Sequence, residues 1–119
     1  MYSPIITGSG VFTPGNVISN AELVESFNTY VDRWNARHVD EIASGAVEAK
    51  AHSSAAFITA ASGIEQRHVI DKDGILDPDR MCPRLDGRAD DAPSLMAEMA
   101  VAAIREALAQ AGRASRRSA

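Results

Sequence analysis

The sequence predicts a small α/β protein of two short strands and three or so helices. Three observations support that class. Apolar residues recur at helical spacing from about residue 20 to 42 and again in an Ala-rich run before Gly112. Residues 64–70 alternate with a period of two, and clusters of Gly, Pro, Asn and Asp separate these segments.

Taken in order, Ile5, Ile6 and Thr7 are β-formers followed by Gly8, Ser9 and Gly10. They predict a short buried strand closed by a tight turn that continues through Thr13, Pro14, Gly15 and Asn16. Asn20 is the expected N-cap of the first helix, with Glu22 in the first turn to suit the helix dipole. Leu23, Phe27, Val31 and Trp34 then form one apolar stripe at spacings of four, four and three. That helix is expected to reach Ile42 and stop at Ser44 and Gly45, while 46–52 carry no decisive pattern.

Ser53 or Ser54 can cap a short helix through Phe57, Ile58 and Ala61, with Gly63 placed for a left-handed end. Ile64, Gln66, His68 and Ile70 alternate with Glu65, Arg67, Val69 and Asp71, which predicts a strand with one face partly buried, turned by Asp73 and Gly74. Residues 75–93 hold three prolines and several aspartates and predict a long surface loop. Asp91 is the expected cap of the last helix, with Pro93 in its first turn and Gly112 beyond its end. Leu95, Met96, Met99, Ala103 and Leu108 supply its buried face, and Ala100, Ala102 and Ala107 leave room for another backbone.

The chain has 119 residues with 12 basic and 16 acidic side chains, a net charge of −4. Alanine makes up 21 of its 54 residues classed as hydrophobic, so the core is expected to be thin and a partner surface welcome. Three of the basic residues lie in 113–119, which leaves residues 1–112 at −7 and argues against a nucleic-acid groove. No run of eighteen apolar residues exists to make a membrane span, and the opening residues lack the basic start of a signal peptide. A single cysteine rules out an internal disulfide and suits the cytoplasm.

Candidate chemistry is sparse. Gly8 and Gly10 make a G-x-G without the third glycine of a dinucleotide fingerprint, and no P-loop lysine follows Gly15, so these glycines read as turn residues. Cys82 stands between Met81 and Pro83 with no helix start after it to activate a thiolate. His38, His52 and His68 match no zinc spacing, and Asp77, Asp79, Asp86, Asp90 and Asp91 lack the spacing and terminal Glu of a calcium loop. No catalytic set, no metal site and no bound cofactor are expected from these residues. Trp34 and Phe27 read most simply as core.

Four segments in order carry a resemblance. The run Ile5-Ile6-Thr7-Gly8-Ser9-Gly10-Val11-Phe12-Thr13-Pro14, then Val17 to Leu23, resembles the start of β-ketoacyl-acyl-carrier-protein synthase III. Ser62-Gly63-Ile64-Glu65-Gln66-Arg67-His68 resembles that family's Thr-Gly-Ile-x-x-Arg segment, and Ser94 through Gly112 its following Ala-rich helix. The resemblance implies a partial thiolase-like fold, with 1–112 as the N-terminal segment of such a domain and 113–119 as a polar, Arg-rich, disordered tail. It further implies an acyltransferase of fatty-acid or related lipid metabolism that condenses an acyl thioester with malonyl-acyl carrier protein. Acyl-CoA is then substrate rather than cofactor, acyl carrier protein the partner, and a homodimer the assembly.

The family's catalytic Cys, His and Asn have no counterpart here, and Cys82 does not match the first of them. The chain is therefore expected to be a fragment, inactive alone. The alternative is a non-catalytic interaction module packing on a partner or a full-length homologue. By resemblance, Phe57 occupies the place of the family's CoA-stacking tryptophan, five residues before Ser62, with Ser53 and Ser62 at polar positions of the same site. The Phe57 ring also fits simple helix packing. Ala61 stands where the family has an arginine, which removes a phosphate contact.

Overall fold

The computed structural model describes residues 3–112, so the expected tail at 113–119 lies outside the described residues. The chain divides into two compact units, Pro14–Leu85 and a second made of Met1–Thr13 with Asp86–Ala119. Among the described residues there are two strands and five helices, an α/β content with more helices than expected.

The Pro14–Leu85 unit is built on two antiparallel strands, β1 (Asn16–Ser19) and β2 (Gln66–Val69), with Asn16 opposite Val69 and Ser19 opposite Gln66. Helix α1 (Asn20–Arg37) leaves β1 directly. Its cap is Ser19 and not Asn20: Ser19 Oγ accepts the Glu22 N–H, and Glu22 reaches back to the Ser19 N–H, a reciprocal capping box. Asn20 is displaced from that role because its side chain is committed elsewhere. It donates to Ile64 O at 2.7 Å and Thr59 Oγ1 at 3.1 Å, and accepts from Arg67 Nη2 at 2.6 Å. Lys72 pairs with Glu22, and that hydrogen bond, with the Ser19 N–H, holds the Glu22 carboxyl below its ordinary range.

Of the apolar stripe on α1, Val31 is fully buried and Leu23, Phe27 and Trp34 are partly covered; Ile18 of β1 is the other fully buried apolar residue among those described. The helix stops at His38, whose ring stacks on Trp34 with centroids 3.9 Å apart, and a separate short turn α2 (Val39–Ala43) follows before Gly45. Helix α3 (Ala55–Ser62) starts at Ser54, whose Oγ accepts the Phe57 N–H, and ends at Gly63 with φ of 73°. In β2 the covered face is Arg67 and Val69, as the expected strand with one face partly buried requires, while Ile64 and Ile70 stay exposed. On that covered face the Arg67 guanidinium donates to the Asn20 carboxamide.

Asp73 and Gly74 do not form the expected turn. They lie in α4 (Lys72–Leu76), where Gly74 is buried and a Cβ would meet the Cys82 carbonyl at 2.6 Å and the Arg84 N at 2.8 Å. The segment after it turns at 78–80 and then runs exposed, stitched by Arg84 to Asp77 and by Arg80 to the carbonyls of Cys82 and Pro83.

In the second unit, α5 (Leu95–Gln110) is capped by Ser94 and not by Asp91; Ser94 Oγ accepts the Ala97 N–H, leaving Pro93 outside the helix. Residues 5–7 are not a strand. Ile5 and Ile6 are 80% and 91% exposed, and among the described residues no strand lies beside them to satisfy their backbone groups. Gly8 and Gly10 are not turn residues either: they let the extended chain lie directly on α5. A Cβ on Gly8 would come within 2.9 Å of Ala111 N, and one on Gly10 within 2.6 Å of Ala107 N. Ser9 N–H between them donates to Gln110 Oε1 at 2.7 Å. Of the small residues expected to admit a backbone, Ala107 does so, joined by Ala103 and Ala111, while Met96, placed in the expected buried face, is 79% exposed.

Candidate ligand cleft

Two of the three expected ligand residues come together. An open cleft of about 450 Å³ is lined by Phe27, Ala51, His52, Ser53, Ser54 and Phe57. The start of α3 presents Phe57, which stays 65% exposed. Ser53 lies just before the α3 cap and is half-covered, its N–H and C=O both bonded by Asn28 of α1. An adjoining apolar hollow of about 290 Å³, lined by Leu23, Val24, Phe27, Ser53, Ile58 and Met81, shares Phe27 and Ser53 with it.

Ser62, the third, is not among the lining residues. Its Oγ donates to Ile58 O at 2.7 Å and accepts the Ile64 N–H at 3.1 Å, so it finishes α3 and starts the run into β2. Ala61 is exposed and brings no charge.

His52 and Phe27 are cleft residues that sequence reasoning assigned to other roles. His52 Nε2 lies 2.6 Å from Asp32 Oδ1 on α1. A carboxylate only accepts, so it fixes the proton on Nε2 and leaves Nδ1 as the ring's other polar atom. The signal for this pairing was present but faint: Asn28, Asp32 and Asn35 repeat at four and three residues along the polar side of α1.

The remaining candidates are dispersed. Cys82 is an exposed free thiol, and the imidazoles bond elsewhere: His38 to Trp34 O, His68 to Pro14 O, His52 to Asp32. No thiol–imidazole pair is formed among them. Asp77 and Asp79 face Arg84 and Arg33, and among the described residues no group of three or more His, Cys, Asp or Glu converges as a metal site. None of the described helices is long and apolar enough to cross a membrane.

No family model matches the chain. Over 92 residues, 77% of its length, it is 55% identical to a β-ketodecanoyl-acyl-carrier-protein synthase of Pseudomonas aeruginosa. The chain is related to that synthase. It spans about a quarter of that relative, the matched stretch being 26% of the synthase. The resemblance to this synthase family read from ordered motifs therefore stands on extended identity. The α/β character of the described residues is compatible with part of a synthase fold, and the thiolase-like assignment comes from the relative alone.

Proposed function

We propose that the chain is one portion, the N-terminal segment, of an acyl-thioester condensing enzyme of the β-ketoacyl-acyl-carrier-protein synthase III kind. The identity of 55% over 92 residues to a synthase carries this reading. The whole enzyme joins an acyl group to malonyl-acyl carrier protein in fatty-acid or related biosynthesis, acts in the cytoplasm as a homodimer, and takes acyl-CoA as substrate. On this reading its Cys, His and Asn chemistry comes from residues other than those of this chain, and Cys82 takes no part. The cleft at the start of α3 receives the adenine end of coenzyme A. An exposed aromatic face beside Ser53, Ser54 and His52 suits a flat, polar-edged base, which gains from stacking and from a few fixed hydrogen-bond partners.

The test is calorimetric titration of the whole chain with coenzyme A. Phe57→Ala is expected to weaken binding by about tenfold, the usual worth of one base stacked on an aromatic ring. Equal affinity for both proteins removes the ring from the site. Intact-mass measurement after incubation with acyl-CoA, comparing the chain with Cys82→Ser, is expected to show no cysteine-dependent adduct. An adduct that malonyl-acyl carrier protein discharges into a β-ketoacyl product makes Cys82 a nucleophile after all. The second reading, a non-catalytic module packing on a partner or homologue, is favoured by the exposure of Ile5, Ile6, Met96 and Ile104. Monomeric elution of the chain, alone and mixed with a full-length homologue, counts against it.

A further inference from the structure

Residues 46–52 all fall on the exposed side, with Val47 the partly covered apolar one at 36%, so apolar burial does little to seat this strap between α2 and α3. Polar bonds from one face of α1 do so instead. Asn28 grips Ser53 by both backbone groups: the Ser53 N–H donates to Asn28 Oδ1 at 2.9 Å, and Asn28 Nδ2 donates to Ser53 O at 3.1 Å. Asn35 grips Lys50 the same way, at 2.9 Å and 3.0 Å. Between them Asp32 accepts from His52. A carboxamide carries one acceptor and one donor group side by side, as a peptide unit does, so each asparagine stands in for a neighbouring strand. The clamp also brings the Lys50 ammonium to 4.6 Å from the centroid of Trp34.

The strap ends in Ala51, His52, Ser53 and Ser54, which line the cleft, whereas Asn28, Asp32 and Asn35 do not. We propose that Asn28 and Asn35 are positioning residues for that cleft, clamps that hold the strap as its wall and so set affinity for the nucleotide end of coenzyme A without touching it. The proposal rests on the reading of the cleft given above. Its physical content is preorganisation. With a clamp gone, the strap leaves α1 for part of the time, and apparent affinity falls by the fraction of molecules whose wall is in place.

The experiment uses the whole chain, with coenzyme A as probe and Trp34, the sole tryptophan, as an internal reporter. Asn35→Ala removes both bonds to Lys50 and is expected to weaken coenzyme A binding by about tenfold, to shift Trp34 emission as the ammonium leaves the ring, and to keep a cooperative melt. Asn35→Asp retains an acceptor for the Lys50 N–H and is expected to recover part of the affinity. Asn28→Ala repeats the test at the other clamp. Unchanged affinity in both alanine variants with a shifted Trp34 emission overturns the proposal alone, since the strap has moved and the cleft has not felt it. Affinity that falls only in proportion to the melting midpoint across all three variants also overturns it, because the asparagines then serve stability and nothing more. If the unaltered chain does not bind coenzyme A, the proposal and the reading beneath it fall together.

Discussion

The two compact units hold together by different means. Pro14–Leu85 encloses two fully buried apolar side chains, Ile18 and Val31, and surrounds them with polar ties that reach far along the chain: Asn20 to Arg67, Asn28 to Ser53, Ser26 to Leu76. The unit containing α5 has no buried residue among those described, and depends on a backbone laid against a helix through Gly8 and Gly10. Where large side chains are scarce, one unit compensates with hydrogen-bonding networks and the other with the absence of side chains. The first can be broken by removing an atom, the second by adding one.

The largest effect is expected from removal. Asn20 is 4% exposed and joins α1, α3 and β2; Asn20→Ala strands the Arg67 guanidinium, whose Nη1 already has no partner among the described residues, and leaves Ile64 O without its donor. A loss of about 3 kcal/mol is expected in denaturant unfolding, because several covered polar atoms left without partners cost more together than the bonds that held them. If Asn20→Ala costs no more than an exposed asparagine, the network is ornamental and the contrast between units disappears.

Addition is expected to cost less. Gly10→Ala places a methyl against Ala107 N and the Ala103 carbonyl, so the extended segment must lift from α5 at a cost of about 2 kcal/mol. Amide exchange reads it locally: the Ser9 N–H, held by Gln110, should lose protection while α1 amides keep theirs. Preserved protection at Ser9 would show that the segment lies on α5 without needing its glycines.

Acid sharpens the comparison with the smallest change. Each unit has one glutamate held below its ordinary range, Glu22 by its hydrogen bond to Lys72 and Glu98 by its hydrogen bond to Arg88. A carboxylate with a lowered folded pKa adds stability that is complete above the unfolded value and disappears as pH falls through the folded one. Both pairs are solvent-screened, so the melting midpoint should decline slightly below the ordinary glutamate range, and Glu22→Gln should flatten part of that decline. A steep loss near neutral pH would point to other groups.

Local signals were legible where one residue decides alone. Ser54 and Gly63 bound α3 as their chemistry dictates, and the α1 stripe around Val31 faces inward. The errors arose where distant residues decide. Asn20 has ideal cap chemistry, yet Ile64, Thr59 and Arg67 claim its side chain and the cap shifts to Ser19. Ile5 and Ile6 have strand propensity, but propensity supplies no partner strand. At the cleft, Phe57 and Ser53 were reached through resemblance, since one aromatic and one serine carry no motif of their own. His52 was weighed only against zinc spacings, and its relation to Asp32 depends on how the strap crosses α1.

The strap seated by Asn28 and Asn35 has a thermodynamic character unlike the rest of its unit. Residues 46–52 are largely solvated while docked, so leaving α1 uncovers little new surface beside what global unfolding exposes. A transition of that kind has a heat capacity change and a denaturant dependence near zero. Urea, which acts through exposed area, gives this opening little help, whereas a ligand that contacts Ser53 or His52 acts on it directly. On the proposal made for this cleft, its wall answers to occupancy more than to the denaturant that melts the core behind it.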